Sequence, residues 1–255
     1  MSFRSIRIVL LLCLLGAIAA VTYWERWSVA QWRQPLQVVI YPVNGDGSDE
    51  VGRYIAGLSA SQFEEIAVFI RKQSERYRLK PLPLPQVILG KEVHVLPPEL
   101  QGEQRSMWDR LRWSLALRYY VFHNTPFWQS LGRIKLFVIF HQTRDGVPLE
   151  SSVGLQKGLF GVIHAFADSR QNAQNNVVIT HELLHTLGAT DKYDAGLQPV
   201  YPDGFAEPDD GEHYPQKQAE IMAGRIPLSA QQAVMPANLA ACVIGSKTAY
   251  EIQWR

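Results

Sequence analysis

Two histidines four residues apart, His181 and His185, carry the sharpest chemical signal in the chain. On a helix, residues i and i+4 share a face, so both imidazoles reach one metal ion. Glu182 follows the first histidine and lies beside the metal's open position. A carboxylate there takes a proton from bound water. Gly188 stands three residues after His185, where a helix must stop if the chain is to turn back. Asp191 stands three residues further on, in place to return a third ligand. The chemistry such a set performs is metal-assisted hydrolysis.

The run from His181 through Gly188 to Asp191, with Tyr193 two residues later, resembles the metzincin clan of zinc endopeptidases. Their signature is HExxHxxGxx followed by a third ligand. The snapalysin-like branch has Asp as that ligand and Tyr two residues on, as here. The resemblance implies Zn2+ held by His181, His185 and Asp191. It makes Glu182 the general base that passes the water proton to the leaving amine. It places the Tyr193 hydroxyl near the oxyanion, with Tyr201 and Tyr214 as further candidates. It implies a methionine in a tight turn beneath the metal. Met222, in Ala219-Glu220-Ile221-Met222-Ala223-Gly224, is preferred for that turn over Met235 in Val234-Met235-Pro236. An aspartate ligand adds negative charge at the metal, so a slower or higher-pH enzyme is expected than with three histidines. The implied fold is α/β (α+β), zincin/metzincin-like. It has a mixed, mostly parallel twisted sheet with helices, an active-site helix and an irregular C-terminal subdomain carrying the Met-turn. In that family an edge strand before the zinc helix pairs with substrate, and the segment 154–167 occupies that place in the order.

Two other readings stay open at this point. The third ligand can lie further downstream, at Glu207, Glu212, His213 or Glu220. The chain can also be a non-catalytic, membrane-tethered binding module on the same fold, against which the intact Glu182 argues. His94 and His164 read as structural residues, and His141 falls at a strand end. Asp46 and Asp49 lack EF-hand spacing and read as a solvated turn.

Stepwise along the chain, residues 36–43, with Gln37-Val38-Val39-Ile40-Tyr41, read as a strand stopped by Pro42 and the turn Asn44-Gly45-Asp46-Gly47. Ser61 and Glu64 form a capping-box pattern ahead of a helix reaching about Tyr77. Pro81, Pro83 and Pro85 force an extended segment. Short strands are expected over 86–89 and 92–96. A helix is expected over 104–122, its Trp108, Leu111, Leu115 and Leu117 facing the core and Arg105, Arg110, Arg112 and Arg118 solvated, in preference to membrane contact. Residues 134–141 are almost continuously apolar, as a central strand is. The segment 154–167 fits a strand near a sheet edge. Thr180 or Asn176 can cap the zinc helix, and Leu183, Leu184 and Leu187 give it a buried side. After Asp191 comes an irregular loop over 194–216. Residues 246–254 read as a closing helix capped by Ser246, with Ala249, Tyr250 and Trp254 packing.

The N-terminus reads differently. Arg4 and Arg7 precede an apolar run over 8–21, followed by Tyr23, Trp24 and Trp27. This is the order of a membrane-inserted segment: a signal anchor, or a signal peptide cleaved after Ala17-Ile18-Ala19. Residues 1–27 are therefore assigned to the anchor or signal, 28–34 to a linker and 35–255 to the catalytic domain. That domain is expected outside the cytoplasm, membrane-anchored or, after cleavage, secreted or periplasmic. The chain of 255 residues is 47% hydrophobic and 19% charged, which fits a globular core. A net charge of +1 makes no case for nucleic acid. Two cysteines are too few for a disulfide framework. A peptide or protein substrate is expected, and a monomer.

Overall fold

Continuous apolar runs become the interior strands of one sheet. The computed structural model describes residues 3–77, 83–99, 106–126, 132–143, 152–155, 158–209 and 211–254. Strands β1 (Gln37–Asn44) and β3 (Ile134–His141) are buried along nearly their whole length and pair in parallel. That is what an almost unbroken apolar sequence requires, since both faces are covered. β2 (Gln86–Leu89) lies parallel outside β1, and β5 (Phe160–Phe166) lies parallel outside β3. β4 (Val153–Leu155) is antiparallel to β5 and closes the order β2-β1-β3-β5-β4. The fold is mixed α/β with a mostly parallel central sheet.

Helices cover both faces. Val51 and Ile55 of α2 (Asp49–Ala56), Ile66, Phe69 and Ile70 of α3 (Glu64–Arg76), and Leu183 and Leu184 of the helix that carries His181 and His185 pack on one face with Ile40, Leu136, Val138 and Ile163. On the other face α4 (Met107–Asn124) lays Leu117, Tyr120 and Val121 against Val39, Tyr41, Phe137 and Ile139. The helix that carries both histidines is α5 (Asn172–Leu187), which packs across β5 and β4. C-terminal to it lie two small pairings, β6 (Ala219–Glu220) with β9 (Cys242–Val243) and β7 (Ile226–Pro227) with β8 (Ala233–Val234). Helix α6 (Ser246–Glu251) follows them.

Several expectations give way to tertiary structure. The segment 154–167 is not one edge strand. β4 is the edge, and β5 lies inside the sheet between β3 and β4. Residues 92–96 form no strand, and only Val93 makes a bridge, to Val43. The capping box is Ser59 with Gln62, two residues before the expected Ser61–Glu64 pair. It opens a 3-10 turn, Ala60–Phe63, that leads into α3. Helix α2 was not anticipated, although Ser48 caps it and Asp49 and Glu50 fill its first turn. α5 begins well before Thr180 and Asn176, which lie inside it. Thr180 Oγ1 donates instead to the Asn176 carbonyl. On α4 Arg110, Arg112 and Arg118 are exposed as expected, but most of the apolar residues are not turned to the core. Trp108, Leu111 and Leu115 are exposed, and of the four apolar residues assigned to the core only Leu117 is buried there. α4 starts after Ser106, whose hydroxyl accepts from the Asp109 N–H. Residues 104 and 105 and Pro81 lie outside the described residues. The closing helix stops at Glu251 and leaves Tyr250 exposed. Gly245 rather than Ser246 is its N-cap, and Trp254 packs beyond its end.

The N-terminal segment is a helix, α1 (Phe3–Ala30), with Leu10, Leu11, Leu12, Tyr23 and Trp24 exposed. Among the described residues, no helix is long and apolar enough to cross a membrane. Where a linker is expected over 28–34, residues 28–30 complete α1 and Trp32 enters the core. Trp32 Nε1 donates to the Ile252 carbonyl at 2.8 Å, and its ring meets Trp254 edge-on at 5.3 Å. Glu25 Oε1 accepts from the Gly132 N–H. The end of the N-terminal helix is thereby tied to the far C-terminus.

Candidate metal centre

The helix that carries the two histidines is fixed at its start by asparagines. Tyr54 on α2 donates to Asn172 Oδ1 at 2.6 Å. Asn175 makes a two-way pairing with the backbone of Phe166 at the end of β5. Asn176 donates to the Gln62 carbonyl. Val177, Ile179, Leu183, Leu184 and Leu187 bury the inner side, each worth about 1.5–3 kcal/mol. The helix ends at Gly188, whose φ of 112° puts it in the left-handed region. The Ala189 N–H then reaches back to the Leu184 carbonyl. This is a Schellman-type stop, and a side chain at Gly188 would strain it.

The two rings face outward with fixed tautomers. His181 Nδ1 lies 2.9 Å from the Ile221 carbonyl, and His185 Nδ1 lies 2.8 Å from the Ala189 carbonyl. A carbonyl only accepts, so each Nδ1 carries the proton and each Nε2 offers a lone pair. The two Nε2 atoms are 3.0 Å apart. Asp191 Oδ1 lies 3.2 Å from the first and 3.1 Å from the second. Three electron-pair donors therefore converge on one point. Donors about 2.0–2.1 Å from a tetrahedral zinc ion stand about 3.3–3.4 Å apart, so the triangle matches to within a few tenths of an ångström. Two neutral imidazoles and one carboxylate are a donor set that suits zinc. Each imidazole also has the backbone partner on its far nitrogen that metal-binding histidines need.

The electrostatics show the same crowding. Burial pulls the Asp191 carboxyl up, but the two Nε2 atoms beside it, which donate to it and carry charge when the rings are protonated, outweigh burial and hold the group well below the usual carboxylate range. Burial pulls His185 down, and its bond to Asp191 with the charge of Glu182 reverses this and raises it. A proton or a cation relieves three donors placed this close. Glu182 is buried, and its carboxylate lies within 4.8 Å of the histidine donor atoms. Tyr193 stacks over His181 with centroids 6.4 Å apart. Burial and the Asp191 carboxylate push its hydroxyl up to about 12.

Asp191 is held by its neighbours on the returning chain. The Lys192 N–H donates to the Met222 carbonyl. Lys192 Nζ bonds Glu251 Oε2 at 2.7 Å and the Thr190 carbonyl. The Thr190 N–H and hydroxyl both donate to the same Glu251 carboxylate. Gly204 sits so close to the Lys192 carbonyl and Val200 that a Cβ there would collide with backbone. Below this lies the turn at Met222. Its Ile221 carbonyl orients His181, its Met222 carbonyl anchors Lys192, and the Met222 side chain is fully buried.

One carboxylate organises that turn. Glu220 is fully buried. Its Oε2 accepts from the N–H groups of Met222 at 2.7 Å and Ala223 at 3.1 Å. Its Oε1 accepts from the Gly245 N–H at 3.0 Å and the Thr248 hydroxyl at 2.7 Å. Burial nevertheless raises its pKa. Glu220, weighed from sequence as an alternative ligand, is thus committed to joining the turn to α6.

The remaining sequence candidates fall elsewhere. Glu212 and His213 are exposed, with His213 stacked on Tyr201 at 4.4 Å, and Glu207 is half-buried. Tyr214 packs edge-on to Phe205, and Met235 is 40% exposed after β8. His94 is solvated beside Glu92. His141 and His164 bond each other at 2.9 Å, and His141 also bonds Asp46 at 3.0 Å, at the carboxyl ends of β1 and β3. Sequence reasoning missed Glu251 and Lys192. An adjacent Thr-Asp-Lys carries no motif, and its partner lies 59 residues away. Compared with known proteins, the sequence matches no family model and no curated protein.

Proposed function

We propose that this chain is a zinc-dependent endopeptidase of the metzincin type, in its snapalysin-like form. It acts outside the cytoplasm and is held at a membrane by its N-terminal segment. The observation that carries the reading is the triangle of His181 Nε2, His185 Nε2 and Asp191 Oδ1, with sides of 3.0–3.2 Å and both imidazole protons already spent on backbone carbonyls. Zinc, when bound there, supplies a Lewis acid that yields a nucleophilic water near neutral pH and polarises a carbonyl. Glu182, buried beside both imidazoles, takes the proton of the attacking water and delivers it to the leaving amine. Tyr193, protonated at all ordinary pH, donates its hydroxyl to the developing oxyanion.

The sheet supports a peptide substrate. β4, three residues long, is an antiparallel edge strand against which α5 packs, and among the described residues no strand pairs with its outer side. An extended peptide adds to such an edge by main-chain hydrogen bonds, which hold it straight across the helix that bears the histidines. The turn at Met222 gives the site an apolar floor and, through the Ile221 carbonyl, a fixed orientation for His181.

The test uses the full chain in detergent or vesicles, with zinc content measured beside cleavage of a quenched-fluorescence peptide library. Wild type should hold about one zinc ion and cleave. Glu182→Gln should keep the zinc and lose cleavage by about 10²–10⁴-fold, the usual worth of a general base. Cleavage that survives in Glu182→Gln, or wild type without zinc, would overturn the proposal.

A further inference from the structure

Helix α4 has apolar residues on two opposite sides. One side, Leu117, Tyr120 and Val121, packs on the sheet. On the other, Trp108 is 68% exposed, Leu111 48%, Leu115 57% and Tyr119 68%. At 3.6 residues per turn these four positions fall within an arc of about 80°, opposite the packed side. A stripe this regular on a solvent face is a site of contact, since scattered surface apolar residues do not align. Arg112 borders one edge of the arc and Arg118 the other, and both are exposed.

We infer that α4 is an interfacial helix that lays this stripe on an anionic phospholipid bilayer. The residue types suit that surface. Trp108 and Tyr119 are amphipathic rings that settle at the headgroup level, and Leu111 and Leu115 reach the acyl boundary. Arg112 and Arg118 extend their apolar stems along the stripe and place their charges among the phosphates. The same charges argue against a second copy of the chain. A symmetric pairing along this stripe would bring like-signed arginines together, whereas paired helices set opposite charges on their borders.

The N-terminal helix gives the stripe its purpose. The apolar run over 8–21 is 14 residues, or about 21 Å of helix, against about 30 Å of hydrocarbon core. Held by that run alone, the chain has a short anchor, and a second contact at the interface makes the attachment firm. α4 supplies it from the sheet face opposite α5. The inference stands on α4 itself and does not rest on the peptidase reading.

The experiment places a polarity-sensitive fluorophore on Leu115→Cys in the full chain, with Cys13→Ser. Cys242 is 1% exposed and stays unlabelled. Ala116→Cys, exposed but off the stripe, is the reference, and Tyr119→Cys is a second stripe position should Leu115→Cys alter the thermal midpoint. Vesicles are phosphatidylcholine with about 30% phosphatidylserine, and flotation reports vesicle attachment independently. The stripe probes should shift to the blue on vesicles while the Ala116→Cys probe stays aqueous. Each of Arg112→Gln and Arg118→Gln should lower the docked-to-undocked ratio about fivefold. An aqueous signal at the stripe while the chain floats overturns the inference, as does failure to float. A blue shift without vesicles that grows with protein concentration overturns it too, in favour of self-association.

Discussion

Replacing Asp191 by alanine measures how much the third donor contributes. Asp191 Oδ1 stands 3.2 Å from His181 Nε2 and 3.1 Å from His185 Nε2, so its loss leaves two nitrogens facing the metal position. Four-donor structural zinc sites bind with about 10–16 kcal/mol in total, or about 2.5–4 kcal/mol per donor. One donor removed therefore weakens zinc about 10²–10³-fold. The Asp191 side chain is 43% exposed, so water can occupy the vacated position, which favours the lower end of that range. Asp191→Asn keeps an oxygen there without the charge and should lie between wild type and alanine. The fold should survive, because Thr190 and Lys192 on either side remain bonded to Glu251 and to the Met222 carbonyl. The assay is competition for zinc against a chromophoric chelator, with thermal unfolding of the metal-free chain as control. A change in zinc affinity below tenfold, with the metal-free midpoint unmoved, refutes the assignment of Asp191.

Tyr193→Phe removes the hydroxyl and keeps the ring over His181. kcat should fall about 10²-fold with little change in KM, as for the loss of one oxyanion donor, and a matching rise in KM instead would speak against that role. Glu220 carries a raised pKa from burial. A carboxyl raised above its ordinary 4.5 stabilises the fold below that pH, and the contribution is lost as pH rises through the folded value. Glu220→Gln should therefore gain stability relative to wild type as pH increases from 4.5. Denaturant midpoints measured across that window check it, and a flat difference refutes it. Trp32→Ala deletes the bond to Ile252 and the edge contact with Trp254. It should cost about 3–5 kcal/mol in chemical unfolding of the full chain. A cost near zero would mean that residues 28–34 are a free linker after all.

The sequence by itself determined what is local. Helix geometry sets His181 and His185 on one face, and the need for a left-handed residue makes Gly188 a stop, so the motif was legible before any fold was known. The apolar run of β3 similarly declared an interior strand, and that of β1 a strand whose interior place only the sheet order shows. Tertiary structure alone decided what depends on distant partners. The carbonyls of Ile221 and Ala189 that fix the imidazole tautomers carry no side-chain signal. Glu220 and Glu251 look like any surface carboxylates until four donors close on the first and Lys192 with Thr190 on the second. The β4–β5 hairpin was hidden because alternation alone does not say which strand is the edge. Helix α4 was misassigned for a related reason. Apolar residues on opposite sides cancel in any periodic reading, and only the packed sheet shows which side was left facing out.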